Sequence, residues 1–223
     1  MPATALSPRS FDAAVFDLDG TLVDTEVLCN ATGVAACAAL GHPVSLAFFE
    51  GLAGVHDVER ARRIAVETGR TVDTTAFFAE WDRLCTIRFA EGIPLKAGAV
   101  DLLGALKSRG LPLGLCTSSR RGPALEKLRF AGLDRYFDVV VTVDDVARAK
   151  PAPDPYLAAA AALGVRPDRC VAFEDSETGA QSAHAAGMVV VQTPDLHPAT
   201  GRYAHHVASR ILEGARLAGL TAD

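Results

Sequence analysis

Asp17-Leu18-Asp19-Gly20-Thr21-Leu22-Val23-Asp24 sets two carboxylates two residues apart, directly behind the apolar run Ala13-Ala14-Val15-Phe16. A short apolar run bounded by a turn signal fits a buried strand. Such a strand delivers both carboxylates to the carboxyl edge of a sheet, where open α/β folds keep their ligands, and Gly20 lets the chain turn away sharply. A strand followed by an Asp-Gly turn is common by itself. Three further stretches give the octet its meaning: Thr117-Ser118-Ser119 behind Leu113-Gly114-Leu115-Cys116, Lys150-Pro151 beyond the run from Val139 to Val143, and Glu174-Asp175 behind Val171-Ala172-Phe173. Each chemical group follows an apolar run.

Sheet-like runs at 13–16, 111–116, 139–143, 170–174 and 188–192 alternate with helical stretches, the pattern of parallel βαβ units. Residues from Ala99 to Ser108 place Val100, Leu103 and Leu106 on one face, with Gly110 beyond the end. The next helix runs from Pro123 to Ala131 and closes at Gly132. Asp154-Pro155 reads as an N-cap followed by proline at the first helical position, opening the alanine-rich run to Leu163 that Gly164 ends. A further helix starts near Thr178 and stops at Gly187. Between Thr25 and Ile93 helical periodicity takes over, as in Phe77, Trp81, Leu84 and Arg88, with no strand signal, which marks a separate helical unit. The tail from Pro194 onward, with His205 and His206, reads as solvated surface.

At 223 residues with 49% hydrophobic content, the chain can bury a core large enough for one large domain or two modest ones. A net charge of −5 and the lack of any Lys/Arg-rich run offer no field for a nucleic-acid backbone. Met1–Ser10 holds no apolar stretch of signal-peptide length, and no segment approaches the length of a membrane span, so a cytoplasmic protein without a membrane or nucleic-acid partner is expected. Cys29, Cys37, Cys85, Cys116 and Cys170 are odd in number and lack metal-type pairs, which reads as reduced, mostly buried thiols.

Taken in order, the four stretches resemble motifs one to four of the haloacid dehalogenase superfamily, in the branch holding β-phosphoglucomutase-like and phosphoglycolate-phosphatase-like enzymes. The resemblance spans roughly residues 11 to 193 and leaves a cap-sized insert between the first two motifs. It implies an α/β fold with a Rossmann-like parallel sheet formed by residues 1–24 and 94–223, and an inserted helical cap at 25–93 that closes over the active site and reads the substrate.

Phosphate esters hydrolyse very slowly in water, so a catalyst must place a nucleophile in line, neutralise the transferring oxygens and protonate the leaving alcohol. By resemblance, Asp17 attacks phosphorus and becomes an aspartyl-phosphate, splitting one difficult step into two. The family holds Mg²⁺ at this carboxylate, a hard cation among oxygen ligands. Asp19 gives a proton to the leaving oxygen and later takes one from the attacking water, help worth typically ~10²–10⁴-fold; its backbone carbonyl is a metal ligand in the family. Thr117 and Ser118, with the amides at Ser118 and Ser119, receive the phosphate ahead of a helix. Lys150 brings positive charge to the phosphoryl oxygens, on a loop stiffened by Pro151, Pro153 and Pro155. The resemblance thus implies Asp17, Asp19 and Asp175 as metal ligands, with Glu174 an outer or water-mediated partner. Without the cation these like charges repel, which couples the metal to the fold. An aspartate at position 19 can also serve as a turn cap, and Thr117 as an ordinary helix cap.

Asp19 separates this chain from the dehalogenases of the superfamily, which lack an acid there. The stretch from Thr25 to Ile93 contains no lysine, the first in the chain being Lys96, which argues against Schiff-base chemistry in the cap. β-Phosphoglucomutases carry a cap histidine ten residues after the acid aspartate, a position held here by Cys29. Their cap arginine finds Asp57 at the aligned place, near Gly54-Val55-His56. His56, Arg60, Arg83 and Arg88 are the polar cap residues that could meet a substrate, and each also suits a solvated helix surface. The expectation is a Mg²⁺-dependent phosphatase acting on a small phosphorylated metabolite, with a sugar-phosphate mutase as the alternative. A phospho-receiver module also combines acids, a hydroxyl and a lysine on an α/β sheet, but carries its phosphorylated aspartate later in the sheet and has no cap insert. A binding-only relative would show a broken motif, and none is broken here.

Overall fold

The structure, a computed structural model, describes residues 11–52, 55 and 57–221. The readings made at Met1–Ser10, Gly54 and His56 lie outside the described residues. Two compact units are present: Met1–Asp24 with Pro94–Asp223, and Thr25–Ile93.

The first unit is built on a parallel six-stranded sheet in the order β3-β2-β1-β4-β5-β6. Its strands are β1 (Ala13–Phe16), β2 (Leu113–Cys116), β3 (Val139–Val141), β4 (Cys170–Glu174), β5 (Val189–Gln192) and β6 (His206–Val207). β1, β2, β4 and β5 are buried along their whole length. That is why they read as unbroken apolar runs: parallel sheets are covered on both faces. Phe16 stacks on Phe173 across β1 and β4, with ring centroids 4.7 Å apart and planes within 7°, so the two strands that end in carboxylates are packed against each other. On one face lie α7 (Asp154–Leu163) and α8 (Glu177–Ala185), where Tyr156, Ala159, Ala180 and Ala183 join Val15, Cys116 and Ala172 in one core cluster. The small alanines let these helices approach the strands closely. α5 (Ala99–Ser108), α6 (Arg121–Phe130) and α9 (Ile211–Leu217) complete the unit. α9 lies against β5 through Gly214, where a Cβ would stand 2.3 Å from Val191 Cγ1.

The second unit consists of α1 (Glu26–Ala39), α2 (Leu46–Glu50), α3 (Asp57–Thr68) and α4 (Thr74–Ala90), with no strand among its described residues. Ser45 and Asp73 cap α2 and α4, their side chains accepting from the Phe48 and Ala76 amides at 3.1 and 3.0 Å. Ala36, Cys37, Phe49, Leu52, Ile64 and Phe77 form its core. Trp81 meets the edge of Phe49 at 5.1 Å and anchors its indole N–H on the Cys29 carbonyl at 2.9 Å, tying α4 to α1. Among the described residues no helix is long and apolar enough to cross a membrane.

Several local expectations are corrected. The run 139–143 is a strand only to Val141, because Thr142 and Asp145 cap each other around a 3₁₀ turn at Val143–Asp145. The strand of 111–116 starts at Leu113 and that of 188–192 at Val189. Asp154 is the first residue of α7 and not its cap; Pro153 precedes it, and its carboxylate pairs with Arg148 at 2.9 Å instead. α6 begins at Arg121, before Pro123. On α5 the buried set is Ala99, Leu102, Leu103 and Leu106, while Val100 is 36% exposed. The tail is folded: it supplies β6 and α9, and His205 Nδ1 accepts from the Val190 amide at 3.0 Å. None of the five cysteines is in a disulfide, and Cys37, Cys116 and Cys170 are buried.

The packing of α1 on α2 depends on Gly33, whose Cβ would lie 2.1 Å from the Phe49 ring. Gly33→Ala is therefore expected to destabilise the helical unit by about 1–3 kcal/mol, the usual range for overpacking. Thermal denaturation of the full chain checks this; an unchanged or raised midpoint would contradict the packing described.

Candidate active site

The strand register brings three chemical groups to one edge of the sheet. Phe16 pairs with Leu115 on one side and with Phe173 on the other, and Cys116 with Val141. Asp17 directly follows β1 and Thr117 directly follows β2, while Glu174 is the last residue of β4 and still pairs with Gln192. Backbone bonds continue the ladder at this edge: the Asp17 amide donates to the Phe173 carbonyl at 2.9 Å, Thr117 to Val141 at 3.0 Å and Thr193 to Glu174 at 2.7 Å. From central β1 the chain runs on to β2 on one side, and β4 flanks it on the other, so the site opens where the strand order reverses.

Lys150 reaches into this edge from the loop before α7, with its side chain only 4% exposed. Its ammonium donates to Asp17 Oδ1 and Glu174 Oε1 at 2.6 Å each and to the Cys116 carbonyl at 2.8 Å, which uses all three of its N–H groups. Burial opposes its charge, but the two carboxylates outweigh that and hold the ammonium well above its usual range. Burial, reinforced by the charges of Glu174 and Asp175, pushes the Asp17 carboxyl well above the usual carboxylate range against the pull of Lys150. Burial and Glu174 push Asp175 up to about 7. These directions agree, because three carboxylates share one ammonium and negative charge stays in excess. Oxygens of Asp17, Glu174 and Asp175 lie within 4.8 Å of one another, a group able to hold a cation. Gly20, at φ +84°, brings the backbone so near that a Cβ would stand 2.4 Å from Asp175 Oδ2.

Asp19 is placed differently. Its carboxylate, one third exposed, accepts from Lys127 Nζ at 2.7 and 2.8 Å and from Ser119 Oγ at 3.1 Å. It lies outside the three-carboxylate group, so the side chain of Asp19 is not among the clustered ligand atoms. Lys127, on α6, was not legible as a site residue: in the helix pattern it is one more charged position, and its partner is 108 residues away in sequence. Thr117 is buried, and its Oγ1 accepts from the Ser119 amide at 3.1 Å, so that amide is committed within the loop. The first amide of α6, at Arg121, is committed to Asp144 at 2.9 Å. Ser118 is exposed. Tyr156 is the other missed residue; its hydroxyl donates to Glu174 Oε1.

Asp17, Asp19, Thr117, Ser118, Lys150 and Asp175 all line one cavity of about 310 Å³, whose remaining wall comes from Ser119, Ser176, Thr178 and Gly179. A cavity of about 380 Å³ at the opposite, amino edge of the strands, lined by Lys107, Leu111, Asp138 and Leu163 among others, gathers no comparable set. In the helical unit, Arg83 pairs with Glu80 at 2.7 Å, Arg88 pairs with Glu91, and Arg60 lies over Trp81 at 4.9 Å while pairing with Asp57 at 3.3 Å. Cys29, half-buried, has Cys85 Sγ at 4.0 Å.

The profile of the haloacid dehalogenase-like hydrolases matches residues 11–187. The chain is similar to the phosphorylated carbohydrates phosphatase of Thermotoga maritima, 34% identical over 178 residues that cover 79% of this chain and 82% of that protein. It is similar also to the fructose-1-phosphate phosphatase of Escherichia coli, 33% identical over 180 residues covering 79% and 93% respectively. Among solved structures, CbbY of Rhodobacter sphaeroides in complex with xylulose-(1,5)bisphosphate superposes with a TM-score of 0.79 at 28% identity, covering 95% of this chain and 100% of that one. The profile takes in all four motif stretches whose side chains meet at the carboxyl edge of the sheet, and the chain belongs to the haloacid dehalogenase-like hydrolases, in the branch of β-phosphoglucomutase-like and phosphoglycolate-phosphatase-like enzymes.

Proposed function

We propose that this hydrolase is a phosphatase that removes phosphate from a small phosphorylated metabolite, a sugar phosphate or a phosphoglycolate-like ester, through an aspartyl-phosphate on Asp17. The observation that carries the reading is the convergence of Asp17, Asp19, Thr117, Lys150 and Asp175 on one cavity of about 310 Å³, a size suited to a small ligand. Relatives named as phosphatases of phosphorylated carbohydrates and of fructose 1-phosphate support it.

The donor set fits Mg²⁺: hard carboxylate oxygens, gathered within 4.8 Å, with more negative charge than Lys150 alone can balance. Asp17 and Asp175 would hold the ion with the Asp19 carbonyl, and Glu174 would support it from outside or through water. When bound, Mg²⁺ supplies neutralising charge for the carboxylates and for the transferring oxygens. In the first step a carboxylate oxygen of Asp17 attacks phosphorus, the bond from phosphorus to the ester oxygen breaks, and Asp19 gives its proton to that leaving oxygen. In the second, water attacks the same phosphorus, Asp19 takes the water's proton, and the bond to Asp17 breaks to release inorganic phosphate. The Thr117 hydroxyl donates to the phosphoryl oxygens, and Lys150, its three protons held by Asp17, Glu174 and the Cys116 carbonyl, offers them its positive charge. Residues 25–93 serve as the cap in this reading, with the task of recognising the distal part of the substrate. Cys29, where the mutases carry a histidine, favours transfer to water over transfer back to a sugar.

Asp17→Asn is expected to abolish phosphate release from a panel of sugar phosphates and phosphoglycolate. Asp19→Asn should slow it ~10²–10⁴-fold while leaving Mg²⁺ binding in place; a wild-type rate in that variant removes its assigned role. Product analysis with a hexose phosphate should show free phosphate, and a dominant isomerised hexose phosphate would select the mutase reading instead.

The site also sets a pH dependence. In the metal-free protein the Asp175 carboxyl is raised from 3.8 to about 7 by burial and by Glu174. Between those values the folded chain holds a proton that the unfolded chain has released, so stability falls as pH rises through this window. Mg²⁺ takes the place of that proton, and its stabilising effect should grow over the same range. Thermal midpoints with Mg²⁺ and with chelator should differ more at pH 8 than at pH 5, and equal differences at both would count against a cation at these carboxylates.

A further inference from the structure

Tyr156 touches the site, yet the reaction leaves it without a task. Its side chain is wholly buried, and a buried phenol requires a partner for its hydroxyl. That partner is Glu174 Oε1. The same oxygen accepts from Lys150 Nζ at 2.6 Å, and Nζ lies 5.2 Å from the centroid of the Tyr156 ring, within range of a cation–π contact. The other oxygen, Oε2, accepts from Ser176 Oγ at a long 3.3 Å. Gly179 closes the remaining side, since a Cβ there would fall 2.0 Å from the carboxylate atoms. Glu174 is therefore clamped, with Oε1 committed to two donors and Oε2 only weakly engaged.

We infer that Tyr156 is a positioning residue for the cation site: its hydroxyl fixes the Glu174 carboxylate so that Oε2 faces the cation or its water, and its ring face holds the Lys150 ammonium between Asp17 and Glu174. A phenylalanine would fill the same core volume, so packing alone does not account for the hydroxyl. Groups that orient a metal ligand typically change metal affinity about 10–100-fold when removed. The two halves of the residue act on different partners, the hydroxyl on Glu174 and the ring on Lys150, and they can be separated.

The inference rests on reading Asp17, Glu174 and Asp175 as a divalent-cation site, and the experiment keeps the two apart. Direct Mn²⁺ binding, followed by electron paramagnetic resonance without substrate, is measured on the full-length wild-type chain, Tyr156→Phe and Tyr156→Leu. Tyr156→Phe is expected to weaken Mn²⁺ binding about 10-fold and to raise the half-saturating Mg²⁺ concentration in turnover by a like factor, with KM for substrate at saturating Mg²⁺ unchanged. Tyr156→Leu should in addition weaken competitive inhibition by inorganic phosphate, because Lys150 loses the ring. Wild-type Mn²⁺ affinity in Tyr156→Phe overturns the inference. A wild-type chain that binds no Mn²⁺ overturns the cation site itself. Should Tyr156→Leu fail to fold, the Tyr156→Phe titration decides alone.

Discussion

A single ammonium group ties three neighbouring strands together at their carboxyl ends. Lys150 Nζ joins Asp17 after β1, the Cys116 carbonyl of β2 and Glu174 of β4. Its three protons find three acceptors, so the lysine is fully satisfied although its side chain is only 4% exposed. Buried ion pairs of this kind are weak contributors to stability, because desolvating the charges offsets most of their attraction. Apolar side chains of similar size would hold the same strand ends at least as well. The arrangement is therefore explained by what it does to Asp17: the carboxylate is held in one place, beside a cation, at the mouth of a cavity.

The charge balance around that lysine constrains everything placed near it. Three carboxylates face one ammonium, and the backbone leaves them no room to separate. Gly20 presses on Asp175, Gly179 on Glu174, and in both places even a methyl group would collide with the carboxylate. Repulsion that cannot be relieved by side-chain rotation must be relieved by a proton or by a cation. The raised Asp17 and Asp175 carboxyls are the first solution, the one open to the chain alone. A divalent cation would be the second, and in the proposed reaction it would leave Asp17 ionised and able to attack.

The carboxyl edge of the sheet was legible in the sequence because each reactive group directly follows an apolar run of strand length, and a parallel sheet aligns the ends of such runs. Asp17, Thr117 and Glu174 meet for that reason alone. What escaped was whatever depends on distant pairing. Lys127 looks like an ordinary charged helix position until α6 is folded over Asp19, and Tyr156 looks like core within an alanine-rich helix until its hydroxyl is seen on Glu174. The tail was unreadable for a different reason. β6 is two residues long and α9 is built around Gly214, so neither carries a periodic signal, and their identity comes from the edge of β5 and the side chain of Val191 that they cover. Asp154 lies one position past the cap because Pro153 takes that place, and on α5 the buried face is completed by Ala99 and Leu102 in place of Val100.

Asp17 and Asp19 stand two residues apart and are chemically identical, so the separate tasks proposed for them must come from their surroundings. The strand's alternation sends Asp17 into the sheet edge, 7% exposed and bound to a lysine that is itself buried. The turn at Gly20 leaves Asp19 on the cavity wall, one third exposed and held by a lysine on a helix. A nucleophile needs a fixed position and few waters competing for its lone pairs. A proton carrier needs reach to the leaving oxygen and then to the attacking water, and partners it can leave and return to. Lys127 and Ser119 are such partners, being side chains that meet Asp19 at the cavity's edge, whereas Lys150 is locked to a backbone carbonyl and two carboxylates. Two environments for one residue type are the means by which a fold assigns roles to a pair of carboxyl groups, and here they follow from one strand end and one glycine turn.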